Sequence, residues 1–311
     1  MSRTKGVVAA VLAYTAWGPL APIGALLLTD AGPLTLNVLR TGGALILLTL
    51  SMGPRTAARA VNLLTKDLRL WILGVFGMGL TLGAYLISLI YVEPTIAALI
   101  FYLSPIAVAV IARRRLHEPI GRLFWPTVVL SFIGGALAIL EPSKGVTIAD
   151  GVWLGVLIGV VGAGAWTFYT VYLKTLGDRY SDNELTYSAF VSSGIAFLVL
   201  AIPLEGMRIS PSPDFAWRLA VYIIFPSFIA FQLYTIAIRH AGAAFTSVLL
   251  GIELAATAVF SYFLTNEPFG FEKTIGIGLI LVAVTGFLAG ETGRSLPTVP
   301  EQPHAEPQQD Q

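Results

Sequence analysis

The chain contains no cysteine, which removes disulfides, iron–sulfur clusters and thiolate zinc sites together. Histidine is almost as scarce: His117 and His240 are expected in loops and His304 in the C-terminal tail. No HExxH occurs and no histidine falls inside an apolar run beside a serine, so zinc-hydrolytic and serine–histidine mechanisms lack their parts. A GxxxxGK[ST] phosphate loop is also missing, which argues against pumping powered by a nucleotide-binding domain. Charged residues make up 12% of the 311, against roughly 25% in soluble domains. So little charge cannot cover a soluble surface, and a net charge of +1 offers no basic footprint for nucleic acid.

What fills the chain instead is apolar sequence, 56% of all residues. A helix needs about 20 apolar residues to cross hydrocarbon. Ten runs approach that length: 6–28, 33–52, 70–91, 94–112, 123–140, 151–173, 184–204, 216–238, 242–264 and 272–290. The first is expected to stay, because it is long, carries Trp17, Pro19 and Pro22, and lacks a small-residue cleavage site. Short connections leave no room for a soluble domain. The expected fold is all-α: a polytopic membrane protein of ten transmembrane helices.

A repeat is hidden in the pattern. Glu118-Pro119 in ARRRLHEP returns as Glu267-Pro268 in TNEPFG. That same shift of 149 residues lays GVVAAVLAYTAW (6–17) on GVLIGVVGAGAW (155–166), pairing Trp17 with Trp166, and it pairs Tyr85 with Tyr234. The predicted units are a first five-helix repeat, 1–141, and a second, 142–290. An odd span count per unit turns the second upside down, giving a pseudo-two-fold axis in the membrane plane.

Lysine and arginine fix the orientation. With the N-terminus on one side, that side's loops hold 14 of them and the other side's hold 4, leaving Arg40 within a span. The richer side is expected to be cytoplasmic, so both termini face the cytoplasm. Residues 291–311, rich in Pro, Gln and Glu, read as a disordered cytoplasmic tail. Glu118-Pro119 then sits at the cytoplasmic surface, where Glu caps or solvates a turn and Pro suits a helix start.

Two inverted five-span halves, each with Trp in its first span and Glu-Pro after its fourth, resemble the drug/metabolite transporter superfamily. Within it they resemble the two-repeat EamA-type exporters, including those of bacterial aromatic amino acids. The likeness covers about residues 6–290, and Arg40 in NVLRTGG resembles the arginine common in that family's second span. The second half departs from the pattern, since Arg40 shifts onto Ala189 and Pro105 onto Leu254. The resemblance implies a multi-pass protein of the cell (inner) membrane. It would move a small-molecule substrate, an aromatic or other neutral amino acid or a related metabolite, by alternating access. Organic cations, drugs and sugars are the alternative cargo; a membrane sensor or intramembrane enzyme is remote. No cofactor, metal or nucleic-acid partner is expected, and the lipid bilayer surrounds a monomer or homodimer.

Candidate path residues follow from what is costly in a membrane. A charge at the bilayer centre costs from about 2.5 kcal/mol upward and is usually turned to a bundle interior. Glu253 lies about 16 Å into span nine, near the midplane. It reads either as a lumen-facing carboxylate meeting an ammonium or a proton, or as a protonated carboxyl bonded to a neighbouring helix. Arg40, about 10 Å from the external surface, either snorkels outward or joins the path. Ser104, the repeat equivalent of Glu253, precedes Pro105, which would loosen span four as a hinge. Aromatic residues Trp17, Tyr85, Tyr102, Trp166, Tyr169 and Tyr234 are the other concentration, and Trp17 and Trp166 lie eleven or more residues from their span starts, where the interfacial belt suits them less well. They read as apolar walls of the path or as packing. Gly151, Gly155 and Gly159, and Gly286 with Gly290, read as faces for close helix approach.

Overall fold

Hydrocarbon offers a backbone amide no water to bond, so a chain this apolar satisfies its peptide groups within helices. The computed structural model describes residues 3–139, 151–266 and 270–292. Glu267-Pro268 and the tail from residue 293 lie outside the described residues. Among the described residues nine helices are long and apolar enough to cross a membrane, and a tenth apolar helix, Phe124–Ala138, is shorter.

The elements run α1 (Arg3–Trp17), α2 (Leu20–Leu27), α3 (Pro33–Met52), α4 (Pro54–Leu64), α5 (Leu68–Ile72), a π-helical stretch (Leu73–Gly79) and α6 (Leu80–Ser88). They continue with α7 (Pro94–Phe101), α8 (Ser104–Arg115), α9 (Phe124–Ile139), α10 (Val152–Leu176) and α11 (Asp182–Glu205). Then come α12 (Phe215–Ile223), a second π-helical stretch (Ile224–Ile229), α13 (Ala230–Ala241), α14 (Ala243–Val248), α15 (Gly251–Leu264) and α16 (Phe271–Thr292). Local sequence sets the boundaries. Proline opens α3, α4 and α7, where its missing N–H costs nothing. Ser181 and Glu184 form a capping box at the start of α11, and Gly206 ends that helix in a left-handed conformation.

The helix α4 was not legible as an element, because its arginines make it read as a charged loop. Its buried Ala57, Ala60 and Leu64 recur at helical spacing while Arg55 and Arg59 stay exposed, the pattern of a helix lying along a membrane surface. Three spans that look continuous are interrupted: at Gly18–Pro19, at Tyr102–Leu103 and at Leu249–Leu250. The π-helical stretches fall in corresponding places, since residues 75–79 of the first shift by 149 onto 224–228 of the second.

Helices pair across the two halves of the chain. α1 packs on α13, α6 on α10, α3 on α11, α8 on α14 and α9 on α16. The α9–α16 seam is the closest: a Cβ on Gly134 would stand 2.5 Å from the Gly276 carbonyl oxygen, and one on Gly276 would stand 2.3 Å from that of Gly134. Of the other glycines read as packing faces, Gly155 and Gly159 meet Tyr91 and Ile100, and Gly290 meets Leu123. Gly286 does not belong with them, since a Cβ there would meet nothing within 4 Å.

Polar side chains lace both ends of the bundle. At the end that holds the N-terminus, Glu118 accepts from the backbone N–H groups of Ala243 (3.0 Å) and Ala244 (2.9 Å). It therefore caps α14, in the other half, rather than only solvating its own turn; a helix N-terminus favours the carboxylate electrostatically. Lys174 donates to the last carbonyls of α13, Ile238 (3.2 Å) and Arg239 (3.0 Å), and Arg239 pairs with Asp182 at 2.9 Å. Asp67 caps α5 through the Arg69 N–H, pairs with the Arg69 guanidinium at 2.7 Å and accepts from the Tyr180 hydroxyl. At the opposite end Glu205 accepts from Leu34 N–H (2.9 Å) and Thr35 N–H (2.8 Å), capping α3. The Asp30 carboxylate there accepts from the Ser212 N–H (2.8 Å) and hydroxyl (3.0 Å).

Two outcomes test this packing. Gly134→Leu should lower the thermal midpoint of the detergent-purified protein by several degrees or abolish folding, while Gly42→Leu, where a Cβ meets nothing within 4 Å, should leave it nearly unchanged. Equal losses from both would show that the α9–α16 seam is not tight. Asp67 gives the second. Hydrogen bonds from Arg69, then that from Tyr180, hold its carboxyl below the usual carboxylate range. A depressed pKa contributes stability that is full above about pH 4 and is lost only as pH falls through the lowered value. The deficit of Asp67→Asn should therefore persist from about pH 7 to 4, and a gap that closes within that window would contradict the assignment.

Candidate functional site

Two interruptions and one π-helical stretch meet around a single aromatic cluster. Trp17 is the last residue of α1, immediately before the Gly18–Pro19 break. Its indole N–H donates to the Pro226 carbonyl at 2.8 Å, a group within the π-helical stretch between α12 and α13. With its polar edge occupied, the Trp17 ring meets Trp166 of α10 edge-on at 5.3 Å between centroids. Phe231 and Tyr234 of α13 approach it at 5.2 and 5.1 Å. Trp166 lies against Tyr234 at 4.7 Å and stacks on Tyr169 at 5.4 Å. Edge-to-face and offset pairs of this kind each add about 0.5–1.5 kcal/mol beyond burial, so the rings hold one another in place.

A small cavity opens beside the cluster. Of the residues expected on the path, Trp17, Tyr85, Trp166 and Glu253 line it. Tyr169 and Tyr234 stand behind Trp166, with the Tyr234 hydroxyl bonded to that of Thr170 at 2.6 Å. Tyr102 and Pro105 lie at the interruption of span four and do not line the cavity. Phe101, whose ring meets Tyr85 edge-on at 4.8 Å, and Phe231 do line it. Their aromatic character was visible in the sequence but their facing was not. Leu20, Thr81, Leu82 and Leu250 complete the wall, and nothing in their residue type marks them. The free volume is about 40 Å³, room for on the order of three water molecules. An amino acid needs the walls to part.

Glu253 supplies the one carboxyl on the wall. It sits in the first turn of α15, just past the Leu249–Leu250 interruption, and is 9% exposed. Its equivalent Ser104 occupies the first turn of α8 past the Tyr102–Leu103 interruption and is 2% exposed. The fourth span of each half thus breaks in mid-course and restarts as a new helix, α8 and α15. In span four Pro105 falls in the first turn of the new helix, a favourable position for proline. Span nine breaks without any proline, which is why only one of the two breaks was legible.

Arg40 does not reach outward. It is fully buried, with Nε donating to Ser227 at 3.0 Å, an NH group donating to Tyr222 at 3.2 Å, and the guanidinium 4.7 Å from the Tyr222 ring centre. It is not on the cavity wall. A second crevice of about 60 Å³ opens beside Lys174, Asp178, Asp182 and Arg239. Arg239 and Asp182 neutralise each other there, so this crevice belongs to the lacing of the bundle end.

The fold has a solved relative. A crystal structure of a protein 18% identical in sequence matches with a TM-score of 0.77, over 94% of this chain and 100% of that one. At that identity the likeness concerns the fold alone. In sequence the chain is 25% identical over 221 residues to the uncharacterized transporter YyaM of Bacillus subtilis, spanning 69% of this chain and 70% of that protein. An uncharacterized transporter of Clostridium kluyveri is 23% identical over 247 residues, 77% of this chain and 78% of that one. Another, of Haemophilus influenzae, is 23% identical over 239 residues, 73% and 75% respectively. The profile of the EamA-like transporter family, within the drug/metabolite transporter superfamily, matches twice, at residues 4–140 and 153–289. The two matches are offset by 149 residues at both ends (153 − 4 and 289 − 140), the spacing of the internal repeat. That family is one of transporters rather than enzymes. With two copies of the family's unit and a bundle of membrane-crossing helices around a buried site, the chain is a multi-pass membrane transporter and belongs to the EamA-like transporter family.

Proposed function

We propose that the protein exports aromatic or other neutral amino acids, or closely related metabolites, as a secondary transporter working by alternating access. The observation that carries this reading is the midplane cavity itself, walled by Trp17, Trp166, Tyr85, Phe101 and Phe231 and carrying one carboxyl, Glu253. Aromatic faces accept a flat apolar side chain, and a carboxylate in a low-dielectric site attracts an ammonium or takes up a proton.

The moving parts are two five-helix halves, 1–141 and 142–290, inverted with respect to each other, with ten spans between them. The cross-half contacts support that arrangement: α3 pairs with its equivalent α11 and α9 with α16, and the α1–α13 and α6–α10 pairings are exchanged by the 149-residue shift. The π-helical stretches and the breaks of spans four and nine lie at nearly matching positions. Rocking one half against the other would open the cavity to each face in turn. In this reading both termini and the tail 291–311 lie in the cytoplasm, with the protein in the inner membrane as a monomer or homodimer; the excess of arginine and lysine on that side supports it. Organic cations are the second reading, favoured by the same pairing of Glu253 with tryptophan faces.

Purified protein in liposomes should exchange labelled phenylalanine across the bilayer, with competition from other aromatic amino acids. Folded, inserted protein that moves no amino acid but moves an aromatic cation would replace the cargo assignment. Glu253→Gln should flatten the pH dependence of exchange or abolish it. Trp17→Ala and Trp166→Ala should each raise KM roughly tenfold. Wild-type flux and pH profile in all three variants would return these residues to packing roles.

A further inference from the structure

Among the described residues two ionisable side chains, Glu253 and Arg40, are buried well inside the spans, and only one of them touches the cavity. Glu253 faces the cavity. Arg40 is 0% exposed and, among the described residues, has no carboxylate partner; one guanidinium nitrogen has no hydrogen-bond partner at all. Guanidinium keeps its charge in proteins, and a buried cation is costly unless an anion and acceptors complete it. Tyr222 and Ser227 provide oxygens and a ring face, which solvate the guanidinium without neutralising it.

Its surroundings look prepared for a further acceptor. Arg40 lies one turn beyond Asn37 on α3, and the Asn37 side-chain amide donates to the Leu82 carbonyl on α6 at 3.3 Å. That contact places this part of α3 against the turn of α6 that carries Tyr85. Tyr85, on that turn, lines the cavity together with Glu253. The Tyr85 hydroxyl and the Asn37 side-chain oxygen are themselves buried without partners among the described residues.

We propose that Arg40 is the anion-binding element of the transport site: it holds a carboxylate of the substrate, reached when the Tyr85 ring turns aside, and so restricts the cargo to carboxylate-bearing molecules. This rests on the transport reading above and narrows it. Organic cations and sugars lack the group that would complete the guanidinium, so they should be poor cargo even though the tryptophan walls suit them.

The test compares ligands that differ only at the carboxylate. In liposomes loaded with wild-type protein, phenylalaninamide and phenylethylamine should compete with labelled phenylalanine on the order of ten- to a hundredfold less well than phenylalanine itself. In Arg40→Gln the amino acid and its amide should compete alike, whereas Arg40→Lys should keep the preference at weaker affinity. A residue that only supports the fold would lower flux without changing this ratio. If the amide competes as well as the amino acid in wild type, the Arg40 assignment falls while the transport reading stands. If phenylalanine is not carried, thermal-shift measurements on wild type with a panel of carboxylates, amines and sugars decide the matter. Stabilisation by carboxylates, lost in Arg40→Gln, supports the assignment. Stabilisation by amines or sugars alone, or by nothing in the panel, overturns it. Should Arg40→Gln fail to fold, the wild-type ratio and Arg40→Lys carry the same decision.

Discussion

A peptide group left without a partner in hydrocarbon costs several kcal/mol, and this cost decides where the chain is allowed to depart from regular helix. Departures occur at Gly18–Pro19, Tyr102–Leu103 and Leu249–Leu250 and in two π-helical stretches. Two of the three breaks border the cavity, one through Trp17 and Leu20 and the other through Leu250. Trp17 ends one helix at its break and takes a carbonyl of a π-helical stretch with its indole N–H; Glu253 starts another helix just past its break. At these two breaks irregular backbone and the aromatic cluster coincide where protein covers them, with Trp17 and Leu250 buried. The site is the place where the chain could afford to be non-helical.

Charge elsewhere follows the same economy by a different route. Glu118 and Glu205 place carboxylates on helix N-termini far away in sequence, at opposite ends of the bundle. Each satisfies amide donors that have no intrahelical partner and meets the positive end of a helix dipole. Asp67, Asp182, Arg239 and Lys174 do similar service around one end. These groups close the bundle at its faces and leave its middle weakly polar.

Much of this was readable from residue order, and the reasons are physical. Hydrophobic length reveals spans because the bilayer sets a minimum, and the Glu-Pro echo revealed the duplication because a fixed offset is independent of geometry. Glu253 was visible as a charge at midplane depth, and Trp17 with Trp166 as tryptophans too deep for an interfacial belt. What stayed hidden depends on rotation about a helix axis or on contacts between distant segments. Phe101 and Phe231 face the cavity while Tyr102 does not, although Phe101 and Tyr102 are neighbours and both aromatic. Arg40 could be placed by depth, but whether it turned inward depended on Tyr222 and Ser227, more than 180 residues away. The interruption of span nine has no proline to announce it, and α4 disguises its apolar stripe in alanines.

The Gly134–Gly276 contact carries a mechanical implication. Where each backbone occupies the space another residue's side chain would need, α9 and α16 are clamped flank to flank and have no slack for sliding. They act as a spine. Deformation would then concentrate in the two-residue interruptions of the other spans, two of which border the cavity. In such a molecule gripping and bending would be a single event, and a ligand that fits the aromatic walls poorly would also fail to drive the motion.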